Sequence, residues 1–140
     1  MTESLSAELL PLCHVSYELA APIVVSVGPE GTRIIGEIAG ARYEGDRLKA
    51  SLKGQAAADW AFIEPSGRIL ADVRLTLETD DGATILVTYK GRSDRASGKV
   101  YSAMFFDTGD ERYAWLTRLL AVAKGFFDGT GLNYEVYEVV

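Results

Sequence analysis

The stretch LADVRLTLETDDGATILVTYKGR, residues 70 to 92, alternates apolar and polar positions on either side of an acidic turn. A period of two marks strands with one buried face. The turn Asp80-Asp81-Gly82 makes the pair a hairpin, and its loop length decides which residues face each other. A two-residue loop at Asp81-Gly82 would set Arg74 against Tyr89 and Thr76 against Val87, mixing polar with apolar. A three-residue loop, with Gly82 in the left-handed conformation, pairs Leu75 with Val87, Leu77 with Ile85 and Val73 with Tyr89. It also sets Asp72 opposite Lys90 and Arg74 opposite Thr88. Only this second register sorts the faces, so it is the expected one.

The same period recurs along the chain. Cys13, Val15, Tyr17 and Leu19 share one phase until Pro22 interrupts, which predicts an edge strand or two strands bent at a corner. Turn signals at GPEG, Gly45-Asp46, Pro65-Ser66-Gly67 and DGTG separate further short β-branched and aromatic runs, ending in LNYEVYEVV. One helix is predicted near 109–118. Thr108 followed by Glu111 has the form of a capping box, and Tyr113, Leu116, Leu119 and Leu120 recur at helical spacing. Many strands and one short helix predict a single all-β domain over 1–140, an antiparallel β-barrel of about eight strands, lipocalin-like in size.

Composition narrows the function. The net charge is −6, and the 14 Lys and Arg are scattered singly, so no nucleic-acid partner is expected. No apolar run approaches the roughly 18 residues of a membrane-spanning helix, so no membrane partner is expected either. The segment MTESLSAELL carries two Glu and no Lys or Arg, unlike a signal peptide. Cys13 is the single cysteine, which fits a reducing, cytoplasmic setting.

Three segments together are familiar: AAADWAFI, ILADVRLTLETDDGATILV and FDTGDERYAWLTR. They resemble the bacterial and fungal family called domain of unknown function 3237, also labelled uncharacterised protein family 0311. The matching positions are Asp59 and Trp60; Asp72, Arg74, Thr76, Leu77, Thr79, Asp81 and Gly82; and Phe106, Thr108, Tyr113, Trp115 and Leu116. Ala56 and Ala57 stand where the family usually has glycines, and Leu75 where it has an aromatic residue. The resemblance implies a β-barrel with an internal cavity and no established activity.

The residues supply limited chemistry. His14 and Cys13 are sequence neighbours with no partner of their kind, so no metal set and no nucleophilic triad is expected. Phosphate-loop and dinucleotide fingerprints are absent, and the chain is expected to work without a cofactor. Carboxylate, guanidinium and phenol groups remain. Asp72 and Arg74 sit two apart on one strand face, about 7 Å along it. That spacing suits a general base beside an oxyanion anchor, and equally suits a solvated outer face with Asp72 near Lys90. The candidate catalytic residues are Asp72, Arg74 and Asp59, with Arg74 expected to point into the barrel. Trp60, Tyr101, Tyr113 and Trp115 are the candidate substrate-binding walls. The function expected is a small-molecule pocket protein, a cofactor-independent lyase, isomerase or cyclase for an apolar or aromatic ligand, acting as a homo-oligomer. The alternative is a non-catalytic ligand-binding or assembly module with a packed barrel.

Overall fold

A computed structural model describes residues 5–140. Ten strands form one antiparallel sheet: β1 (Leu9–Leu19), β2 (Ile23–Gly28), β3 (Gly31–Glu44), β4 (Lys49–Leu52), β5 (Ala58–Ile63), β6 (Arg68–Thr79), β7 (Thr84–Asp94), β8 (Lys99–Asp107), β9 (Ala121–Phe127) and β10 (Gly131–Val139). A 3₁₀ helix, Glu111–Arg118, joins β8 to β9. Strand β1 pairs with β10 along one edge and with β3 along the other, and this closes the barrel. Two positions in the wall are shared. β1 and β2 follow one another along the same edge of β3, bent apart at Pro22, while β4 and β5 follow one another between β3 and β6. The ten strands thus fill eight staves.

The β6–β7 register is the one the pattern predicts: Leu75 faces Val87, Leu77 faces Ile85, Val73 faces Tyr89 and Arg74 faces Thr88. Its loop is locked locally. Gly82 has φ 94° and donates to the Thr79 carbonyl at 2.9 Å. The Thr79 hydroxyl accepts from the Ala83 amide at 2.7 Å and donates to the Asp81 carboxylate at 2.6 Å. The acidic turn is therefore a hydrogen-bonded unit rather than a solvated gap.

The two ends of the barrel differ. At the base, Leu116 of the helix is buried in one apolar cluster with Leu48, Leu75, Leu77, Ile85, Val87 and Met104, all 0 % exposed. At the other end each hairpin turn touches the next. The Phe127 amide bonds the Gly98 carbonyl at 2.9 Å, the Arg95 amide bonds the Gly67 carbonyl at 3.0 Å, and Gly31 lies against the Ile63 carbonyl. The rim therefore climbs as a spiral from the β9–β10 turn to the β2–β3 turn. It ends at β2, whose second edge pairs with no strand among the described residues.

The helix start departs from expectation. Thr108 does not cap through Glu111: its hydroxyl donates to the Thr84 carbonyl at 2.7 Å and accepts from the Asp110 amide at 3.2 Å. Asp110 is the cap, accepting from the Arg112 amide at 2.9 Å. The tighter 3₁₀ turn brings the residue two ahead, not three, within reach of the capping side chain. A kink at Tyr113 also breaks the helical stripe, so Leu116 is buried while Leu120 is 43 % exposed. No helix among the described residues is long and apolar enough to cross a membrane.

Two glycines separate backbone strain from packing. A Cβ at Gly82 would meet nothing within 4 Å, so Gly82→Ala should lose only about 1 kcal/mol, for its left-handed φ. A Cβ at Gly125 would lie 1.8 Å from the Asn133 carbonyl across the β9–β10 pair, so Gly125→Ala should destabilise by several-fold more. Denaturant melts of the two variants check the order; equal losses would contradict it.

Candidate functional site

Inward positions follow from the pleat, and above the packed base they are chemically unusual. Tyr17 on β1, Tyr43 on β3, Tyr89 on β7 and Tyr134 on β10 all point inward and are nearly or fully buried. The Tyr17 and Tyr43 hydroxyls bond each other, Tyr89 donates to the Tyr17 hydroxyl at 3.1 Å, and Ser102 donates to the Tyr134 hydroxyl at 3.2 Å. The rings of Tyr17 and Tyr89 each meet Tyr134 edge-on, with centroids 6.1 Å apart. Hydroxyls joined in a chain always number one more than the links between them. One O–H in the Tyr89–Tyr17–Tyr43 chain therefore has no acceptor within that chain.

Asp59 joins this lumen. It faces Val73 on β6 and Gly36 on β3, both inward positions, and its carboxylate accepts from the Asp72 amide at 2.9 Å. Its pKa is raised above 3.8, first because burial penalises the anion and further by the Asp72 charge, with the Asp72 amide opposing. Burial also lifts the Tyr134 phenol to about 12, with Asp59 adding to the rise, and pushes Tyr43 and Tyr89 well above 10. The phenols are thus neutral donors, and Asp59 is the group with an adjustable proton. The other buried carboxylate, Glu138 near the base, is paired to Arg47 at 3.1 Å.

Small residues occupy the inward positions between the tyrosines and the rim: Gly36, Ala61, Ala71, Gly91, Ser102, Ala123 and Gly125. Ser102 and Ala71 are 7 % exposed and Tyr17 3 %, against 0 % for Leu48, Leu75, Leu77 and Leu116. Two hollows lie outside the lumen. One of about 520 Å³ is set among the rim turns beside Glu64 and Arg95, and another of about 490 Å³ lies on the outer face beside Lys90 and Tyr101. Neither reaches Asp59 or a lumen tyrosine. Charge and hydroxyl chemistry, rather than hollow size, therefore locate the candidate site.

Of the residues nominated from sequence, Asp59 alone has its side chain in this lumen. Arg74 is exposed on the outer face, because the alternation that buries Val73 and Leu75 turns it outward; the expectation that it points into the barrel is corrected. Asp72 shares that outer face and reaches the site only through its backbone amide. Trp60 and Tyr101 are 43 % and 47 % exposed on the outer face, so neither lines the lumen. Tyr113 and Trp115 belong to the base, where the Tyr113 hydroxyl donates to Asp81 at 2.8 Å and the Trp115 ring lies under the Arg47 guanidinium at 4.8 Å. The missed residues are the four tyrosines and Ser102. Their signal was phase: Tyr17 shares Val15's, Tyr89 shares Val87's and Tyr134 shares Val136's.

These features define a small antiparallel barrel with a blind base and a hydroxyl-lined lumen carrying one carboxyl group. The chain belongs to the family described as protein of unknown function (DUF3237), matched over residues 7–102 and 92–139. A Penicillium herquei protein named hydroalkoxylation enzyme phnH is 34 % identical over 86 residues, 61 % of this chain and 49 % of that protein. The chain thus spans about half the length of the curated relative it matches. Among solved structures, a β-barrel-like protein from Acinetobacter baumannii superposes with TM-score 0.88 at 27 % identity over 100 % of both chains. An enzyme from Penicillium herquei superposes with TM-score 0.80 at 21 % identity, over 100 % of this chain and 99 % of that one, a likeness of fold.

The raised Asp59 pKa has a direct consequence. An acid that binds its proton more tightly in the folded state contributes stability below its unfolded pKa, and loses that contribution as pH climbs through the folded value. Ionised Asp59 therefore costs stability at neutral pH. Asp59→Asn, which keeps an acceptor for the Asp72 amide, should raise the melting temperature at pH 7 to 8. The gain should vanish as pH falls below 3.8, where the side chain is protonated in both states. A variant less stable at pH 7 than the parent would refute the assignment.

Proposed function

We propose that the lumen is the site of an acid–base enzyme that adds a hydroxyl group across a carbon–carbon double bond within one small, largely apolar molecule. The observation that carries this reading is Asp59: a carboxyl of raised proton affinity on the inward face, close enough for its charge to act on the Tyr134 phenol. A carboxyl shifted toward neutrality is a better proton shuttle at physiological pH. The relative named for hydroalkoxylation supports the reaction class.

In this reading protonated Asp59 gives its proton to one alkene carbon. The π electrons form the new C–H bond, and the more substituted carbon becomes cationic. The substrate's own hydroxyl oxygen attacks that carbon, the C–O bond closes a ring, and the proton leaving the oxygen returns to the Asp59 carboxylate. Product and substrate are isomers, and no electron acceptor is consumed. The unspent hydroxyl proton of the tyrosine chain holds a carbonyl or phenol oxygen of the substrate, and the ring faces shield the cation.

An ortho-alkenylphenol whose alkene yields a tertiary cation is a suitable probe. The expected product is a cyclic ether of unchanged mass, which gains one carbon-bound deuterium when the reaction is run in D₂O. Asp59→Asn should lower the rate by about 10²- to 10⁴-fold. Tyr17→Phe should lower it less, and Arg74→Ala, on the outer face, should leave it unchanged. Full activity in Asp59→Asn would end the proposal.

A further inference from the structure

Strand β2 is the anomaly of the surface. Ile23, Val24, Val25 and Val27 are 46 %, 59 %, 57 % and 77 % exposed, so the strand presents apolar side chains from both faces and an unpaired backbone edge as well. Free edges in soluble proteins are guarded by charge, proline or distortion. Here the register shift between Val24 and Ser26 is the one guard within Ile23–Gly28, where neither charge nor proline occurs.

Its place in the barrel says what is missing. β2 continues the stave of β1, and on the far side of that stave β10 ends with Gly131 opposite Glu18. Beyond that point the wall has a step, and the inner face of the β2–β3 arm, carrying the exposed Val24 and Val27, overlooks the rim with no further strand beside β2 among the described residues. The apolar rim residue Phe127 is 48 % exposed beside this step. One more strand, laid where β10 stops, would complete the wall.

We infer that this strand is β2 of a second copy, paired antiparallel across a two-fold axis near Val25, so that each partner finishes the mouth of the other's lumen. Charge argues for a second copy. The chain carries −6 overall, which keeps two copies apart over most of their surface, yet residues 20–29 contain no charged residue. A two-fold antiparallel pairing sets the strand against its own reversed sequence, and a strand without charges brings no like charges together. Centred on Val25, it places Ile23 against Val27 and Glu30 against Ala20, so no two carboxylates meet. Strand addition supplies main-chain hydrogen bonds to the open edge and covers the valines together. A six-residue edge is a small interface, so the dimer should dissociate on the order of micromolar concentration.

Light scattering of the intact protein at about 100 µM should give twice the chain mass, falling on dilution. The double variant Val25→Glu, Val27→Glu should weaken association at least about a hundredfold, because it sets like charges across the axis. Its circular dichroism should match the parent's, since both side chains are already exposed. Val25→Cys should form an intermolecular disulfide under copper-phenanthroline oxidation, while the parent, whose Cys13 is 6 % exposed, should not. A monomeric parent at that concentration, a dimer that survives the double variant, or a Val25→Cys protein that fails to cross-link would each overturn the inference. None of these measurements uses turnover, so the dimer and the Asp59 chemistry stand or fall separately.

Discussion

The barrel depends on one strand satisfying two partners. β1 hydrogen-bonds β10 on one edge and β3 on the other, joining the last strand of the chain to the third. Without that double pairing the sheet would be an open ribbon with its apolar face in water. With it, the simple alternation of the pleat acquires an inside and an outside. Every inward position then carries a consequence: leucine and isoleucine seal one end, and tyrosine, serine and aspartate meet in the middle.

Closure also explains which parts were legible in the sequence. The β6–β7 hairpin could be read to the residue because both strands and their turn lie within a single stretch. Loop length and polarity there leave one register. The bend at Pro22 was readable for the same reason. The helix was placed correctly but its cap was not, because Asp110 and Thr108 are both good capping residues. What chose between them was the carbonyl of Thr84, 24 positions away, which claims the Thr108 hydroxyl.

The candidate site was harder for a related reason. Its tyrosines sit at positions 17, 43, 89 and 134, and only the closed wall brings their hydroxyls together. Along each strand a tyrosine in phase with valines reads as ordinary core, since the alternation registers the ring and not the oxygen. Arg74 misled in the opposite way, because its family-like setting drew notice while the alternation around it already pointed it outward. Asp59 was legible as a carboxyl beside a tryptophan, but its partner is the backbone of Asp72 rather than any side chain.

The sealed base has a kinetic meaning. A barrel stoppered by Leu116 and its leucine neighbours is a cul-de-sac, so whatever occupies the lumen must leave by the doorway it entered. Under the proposed chemistry, product and incoming substrate would share that doorway, so the released compound would compete directly with the next one.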